Sequence, residues 1–112
     1  MKINTDLQGD VVVVRLNGNL LGGPDADNFY NEVKSYLDQG NRRFVLDLAN
    51  VRLMNSSGLG ILIKALKPVR EGGGDIHLAA VTERIDSLLV ITKLYQVFQG
   101  FPDVEQAVRA FA

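Results

Sequence analysis

The chain has no cysteine, no tryptophan, a single histidine and only three prolines. Without cysteine there is no disulfide framework, no thiolate metal site and no thiol nucleophile. With His77 as the only imidazole, a metal centre built from several histidine and cysteine ligands has no material either. An excess of charge of one sign is also missing. Twelve Lys and Arg face thirteen Asp and Glu, a net charge of −1, which removes the electrostatic case for non-specific nucleic-acid binding. Apolar runs such as Val11 to Val14 fall far short of the ~20 residues a membrane span needs. Met1 to Asp6 lacks a signal-peptide core. No Gly-Lys-Ser/Thr phosphate loop occurs, and Gly58-Leu59-Gly60 meets Ile63 where a dinucleotide fingerprint needs a third small residue. These absences lead us to expect a protein without cofactor, nucleic-acid partner or membrane insertion, held in a reducing, cytoplasmic compartment.

What is present reads as one α/β domain, residues 1–112. The composition is that of a globular protein, 46% hydrophobic and 22% charged. Met1 to Leu7 is a weak strand candidate that Gly9-Asp10 turns into the β-branched run Val11 to Leu16. Gly18 to Gly23 reads as a loop and Pro24 as the start of a helix carrying Ala26, Phe29, Tyr30, Val33 and Leu37 to Gly40. Arg43 to Leu48 is a second strong strand, and Asn50 to Asn55 a connection. Leu59, Leu62, Ile63 and Leu66 then mark one face of a helix opposite Lys64, Lys67 and Arg70. Pro68 is expected to end or kink it. Beyond the Gly72 to Gly74 turn come a strand from Asp75 to Val81 and a helix capped by Thr82. A short strand from Leu94 to Phe98 follows, then a last helix opened by Asp103 and Gln106, with Val104, Ala107, Val108 and Phe111 as its apolar stripe. This alternation predicts a small mixed, mostly parallel sheet packed by about four helices, mainly on one face. A small flavodoxin-like, doubly wound sheet is the alternative.

One stretch carries the chemistry. Leu48 ends a strand and a helix starts within Asn55 to Gly58. In open α/β sheets, ligand and reaction sites favour the carboxyl ends of strands. A helix start offers free N–H groups and partial positive charge, so a phosphate on Ser56 would meet donors there while adding roughly −1.5 to −2 charges to the surface. The plainer reading of Asn-Ser-Ser-Gly is an ordinary helix cap. A cap alone does not ask for Gly58 and Gly60, each costing of order 1 kcal/mol against Ala within a helix. Close approach of a partner or of neighbouring backbone would explain them.

Asp47-Leu48 followed by Met54-Asn55-Ser56-Ser57-Gly58-Leu59-Gly60 resembles the signature of the STAS domain, in particular of bacterial anti-sigma factor antagonists. That signature is a strand ending in Asp-Leu, then Met-Asp-Ser-Ser/Thr-Gly-Leu-Gly. Leu16 to Leu20, Gly73 to Leu78, Leu88 to Phe98 and Asp103 to Ala107 are similar to further family segments, so the resemblance spans nearly the whole chain. It implies a non-enzymatic switch protein, a monomer or weak dimer. An anti-sigma factor that is also a serine kinase would phosphorylate Ser56, and a PP2C-type phosphatase would reverse it. The unphosphorylated form would bind the anti-sigma factor and free the sigma factor. The chain departs from the pattern where Asn55 replaces the signature Asp, Asn19 a Glu, Leu21 an Asp and Lys93 a Gly, and Pro68 is unexpected in the helix. The expected docking surface comprises Asn55, Ser56, Ser57, Gly58, Leu59, Gly60 and Lys64. Leu20 and Leu21 would serve as apolar anchors if exposed, and the alternative is that one or both are core.

Two competing readings come from other classes. Asp47, Ser56 and His77 could be listed as a hydrolase triad with His77, the only histidine, as its base, but no Gly-x-Ser-x-Gly elbow is present, and a lone strand histidine suits a structural role. A STAS-type scaffold or ligand-sensing module, such as an accessory subunit of a lipid transport system, would use Ser56 and Ser57 only as interface hydroxyls.

Overall fold

A computed structural model describes all 112 residues, Met1 to Ala112. Five strands form one sheet in the order β1-β2-β3-β4-β5. β1 (Lys2–Gln8) pairs antiparallel with β2 (Val11–Leu20) across the Gly9-Asp10 turn. The remaining neighbours, β3 (Arg43–Met54), β4 (Asp75–Ala79) and β5 (Gln99–Phe101), are all parallel. The helices are α1 (Gly23–Asp38), α2 (Ser56–Glu71), α3 (Glu83–Ile91) and α4 (Val104–Arg109). This is the mixed, mostly parallel sheet with four helices that the alternating periodicity predicts.

Alternation along β2 explains the two faces. Val12, Val14 and Leu16 join a cluster of 25 buried residues beneath α1, α2 and α3. Val11 and Val13 point the other way, into a cluster of only five with Val45, Ala79 and Ala107 under α4. Three helices therefore cover one face and a single short helix the other. His77 lies on the α4 side, buried, its ring stacked on Phe111 at 3.8 Å and its Nδ1 2.9 Å from the Ala107 carbonyl. The structure gives His77 a packing role on the α4 face, away from the α1–α3 face on which the Ser56 helix packs.

Several boundaries differ from the sequence reading, each for a physical reason. β2 and β3 both run on through the expected loops, because Asn17 pairs with Asn50, Gly18 with Val51 and Leu20 with Met54 after two register shifts. The Asn50 amide donates to Asn17 Oδ1 at 2.8 Å, which extends the ladder through side chains. Pro68 neither ends nor breaks α2, which continues to Glu71. Leu66 and Val69 are buried on either side of it, and that burial offsets the one N–H a proline withholds. The buried stripe of α2 includes Ile61 and Ala65, leaving Ile63 46% exposed. Leu94 to Phe98 is not a strand. Leu94 and Phe98 are both buried four residues apart, the Phe98 N–H donates to the Leu94 carbonyl, and Leu94–Gln96 forms a 3-10 turn that delays β5 to Gln99. The strand expected to reach Val81 stops at Ala79, where Ala80 turns to φ 55°. The last helix ends at Arg109, so Phe111 packs from beyond it.

Candidate functional site

The two lengthened strands bring their ends together at one corner of the sheet, and α2 starts there. Asn55 organises the corner. Its Oδ1 accepts the Gly58 N–H at 2.9 Å, and its carbonyl accepts the Leu59 N–H at 2.9 Å. Its Nδ2 donates to the Leu21 carbonyl at 3.1 Å, tying the β2–α1 loop to the start of α2. A carboxylate at this position would keep the cap and lose the tie, because it has no proton to donate. Since Asn55 is the cap, Ser56 and Ser57 are not. Both are exposed, and neither hydroxyl makes a hydrogen bond within the molecule. Asn-Ser-Ser-Gly is thus a helix cap, as the plainer reading has it, with Asn55 rather than a serine as the capping residue.

Gly58 is required by neighbouring backbone. A Cβ there would stand 2.1 Å from the Leu20 carbonyl oxygen, so only glycine lets α2 rest on the end of β2. Gly22, at φ 90°, does the same for the loop: its Cβ would lie 2.8 Å from the Ser57 Cβ. The sequence reading missed Gly22, although Gly22-Gly23 directly before the helix-starting Pro24 was the available signal. Gly60 is different. Nothing lies within 4 Å of where its side chain would be, so it leaves bare surface beside Ser56.

The corner sorts the expected docking residues by exposure. Asn55, Ser56, Ser57, Gly60 and Lys64 are at the surface, with the Lys64 ammonium 4.6 Å from the centre of the Tyr30 ring. Gly58 and Leu59 are buried. Leu20 is fully buried, so it cannot serve as an exposed anchor, whereas Leu21 is 47% exposed. Leu20, the last residue of β2, packs into the core, and Leu21, the first residue past the strand, stays outside. The electrostatics are equally distinct. The first turns of α1, α3 and α4 hold Asp25, Glu83 with Asp86, and Glu105, whereas that of α2 holds no acid. The partial positive charge at the start of α2 is left without an acidic side chain of its own turn. Asp47, the would-be third member of a triad, instead accepts the Ala49 N–H at 3.1 Å and faces Arg15.

Comparison with known proteins agrees with this geometry. The family model of the STAS domain matches residues 2–107, and the chain belongs to that family. The Anti-sigma F factor antagonist of Paenibacillus polymyxa is 27% identical over 103 residues, covering 87% of this chain and 83% of that protein. Among solved structures, protein TM1081 of Thermotoga maritima superposes with a TM-score of 0.89 at 24% identity, covering 96% of this chain and 92% of that one. The Bacillus cell fate determinant SpoIIAA in its phosphorylated form superposes with a TM-score of 0.77 at 16% identity, over 99% and 100% of the two chains. No helix of the chain is long and apolar enough to cross a membrane.

Proposed function

We propose that the chain is an anti-sigma factor antagonist whose docking is switched at Ser56. The observation that carries this reading is the division of labour at the start of α2: Asn55 caps, and Ser56 stands exposed with a free hydroxyl. In the proposed cycle a kinase-type anti-sigma factor in the cytoplasm docks over Ser56, Ser57, Gly60, Leu21 and Lys64. It transfers the γ-phosphoryl group of ATP to the Ser56 Oγ, releasing ADP, while the hydroxyl proton leaves to a base or to water. The dianion is accommodated by the acid-free first turn and repels or desolvates poorly against the docked partner, which separates. A PP2C-type phosphatase then hydrolyses the ester with water, giving inorganic phosphate and the docking-competent hydroxyl. The relatives named as anti-sigma factor antagonists support the same assignment.

The test is incubation with an anti-sigma factor kinase and ATP, followed by mapping of phosphate by mass spectrometry. Phosphate is expected on Ser56. Ser56→Ala should take up none and still bind, while Ser56→Asp should bind more weakly. Phosphate confined to another residue, or equal binding by both variants, defeats the switch.

A further inference from the structure

Most charged side chains in this protein are tied down. Of seven arginines, Arg15, Arg43, Arg70 and Arg109 sit in ion pairs and Arg42 donates to the Leu37 and Asn41 carbonyls. The two left with neither an ion pair nor a hydrogen bond are Arg52 and Arg84, and they line one open groove together. The groove runs along the exposed ends of β2 and β3 to the start of α3 and is bordered by Asn19, Asn50 and Thr82. Its lining residues are mostly polar, with Val51 and Ala49 the hydrophobic ones. Thr82 leaves the start of α3 without a side-chain cap, because its hydroxyl donates to the Val51 carbonyl at 3.3 Å.

The charge balance around the groove is one-sided. No acid occurs between Asn17 and Pro24, nor between Ala49 and Gly60, so neither loop flanking Ser56 offers a carboxylate. Glu83 is the groove's single acid against two unpaired guanidiniums. Lys64 and Lys67, exposed on α2, are not in ion pairs either. An arginine fork with no partner of its own is a ready bidentate site for a carboxylate.

Resting on the docking role proposed above, we infer that Arg52 and Arg84 form an electropositive rim of the docking surface and that the partner meets them with an acidic segment. Opposite charge on the two surfaces steers encounter and fixes orientation, so its signature is in the association rate and in the salt dependence. The same rim would hold the partner over Ser56 without touching the hydroxyl that is modified.

The test is stopped-flow association with a purified anti-sigma factor that binds the wild-type chain, at low and at physiological salt. Arg52→Glu and Arg84→Glu are expected to slow association by about tenfold each at low salt and to flatten its salt dependence. Arg52→Lys and Arg84→Lys should stay close to wild type. Arg109→Glu, on α4 across the sheet, is the control and should change nothing. Circular dichroism of each variant confirms that the fold is kept. Unchanged association in both Arg→Glu variants, or faster association, overturns the acidic partner while leaving the Ser56 switch standing. If instead inorganic phosphate at millimolar concentration shifts the Arg52 and Arg84 NMR signals and the Arg→Glu variants associate normally, the groove is a small-anion site and the inference fails. If no anti-sigma factor binds the wild-type chain, the docking role fails and this inference fails with it.

Discussion

Two helix starts in this molecule solve the same problem in opposite ways. α4 opens with Asp103, whose Oδ1 accepts the Gln106 N–H at 2.8 Å while the Gln106 side chain reaches back to Oδ2 at 3.3 Å. That start is closed on itself: an acid faces the dipole, and Glu105 adds a second negative charge. α2 opens with a neutral Asn55 that satisfies one donor, keeps acids out of the first turn and leaves two hydroxyls idle. A helix start that serves only the fold uses its own side chains to neutralise itself. One that is left short of negative charge at an exposed corner has room for charge that arrives later.

The largest effect expected from this contrast is at Gly58. Gly58→Ala forces a methyl against the Leu20 carbonyl and should cost about 3 kcal/mol or more, read as a lower urea midpoint with an unchanged slope. Gly60→Ala, two residues on, meets open space and should stabilise by about 0.5–1 kcal/mol through helix propensity alone. If both substitutions destabilised alike, the close approach of α2 to β2 would not be the reason for the first glycine. Asn55→Ala should cost about 1–2 kcal/mol, more than Asp103→Ala at about 1, because it removes the tie to Leu21 as well as the cap. Asn55→Asp, which keeps the cap and loses only the tie, should fall between wild type and Asn55→Ala in the same unfolding experiment. Ser56→Ala is expected to lie within about 0.5 kcal/mol of wild type, since the hydroxyl is bonded to nothing. A loss comparable to that of Asn55→Ala would mean that Ser56 caps after all.

The smallest effect concerns α3, where the first-turn Asp86 accepts a hydrogen bond from the Tyr95 hydroxyl at 2.5 Å. Desolvation of the phenol, then the hydrogen bond to Asp86 and its charge, push Tyr95 up from 10.0 to about 12. The neutral phenol is the form the fold favours. Its contribution is therefore fully present below pH 10 and is lost as pH rises through about 12. Ultraviolet titration should show the Tyr95 phenol ionising near pH 12, and Asp86→Asn should bring it earlier.

The sheet and the site were legible in the sequence to different depths. Alternation in Val11 to Leu16 and the apolar spacing in α1 dictate their buried faces, so the layers follow from pattern alone. The limits of β2 and β3 do not, because their outer halves are held by each other across the ladder, through Asn17 with Asn50 and Leu20 with Met54. The Leu94 turn carried its signal in the four-residue spacing of Leu94 and Phe98, which a reading for strands passed over. At the site, Ser-Ser-Gly-Leu-Gly marked the place. The roles of its residues depend on the Leu20 and Leu21 carbonyls arriving from more than thirty residues away. Only the fold could tell which asparagine caps, which leucine faces out and which glycine is packed against backbone.

The open space beside Gly60 has a practical side. A chain with no thiol of its own can be given a single one there, and a Gly60→Cys variant would carry a maleimide fluorophore at one defined point next to Ser56. If the proposed docking cycle operates, such a label would turn each docking and release into a change of emission that can be watched in real time.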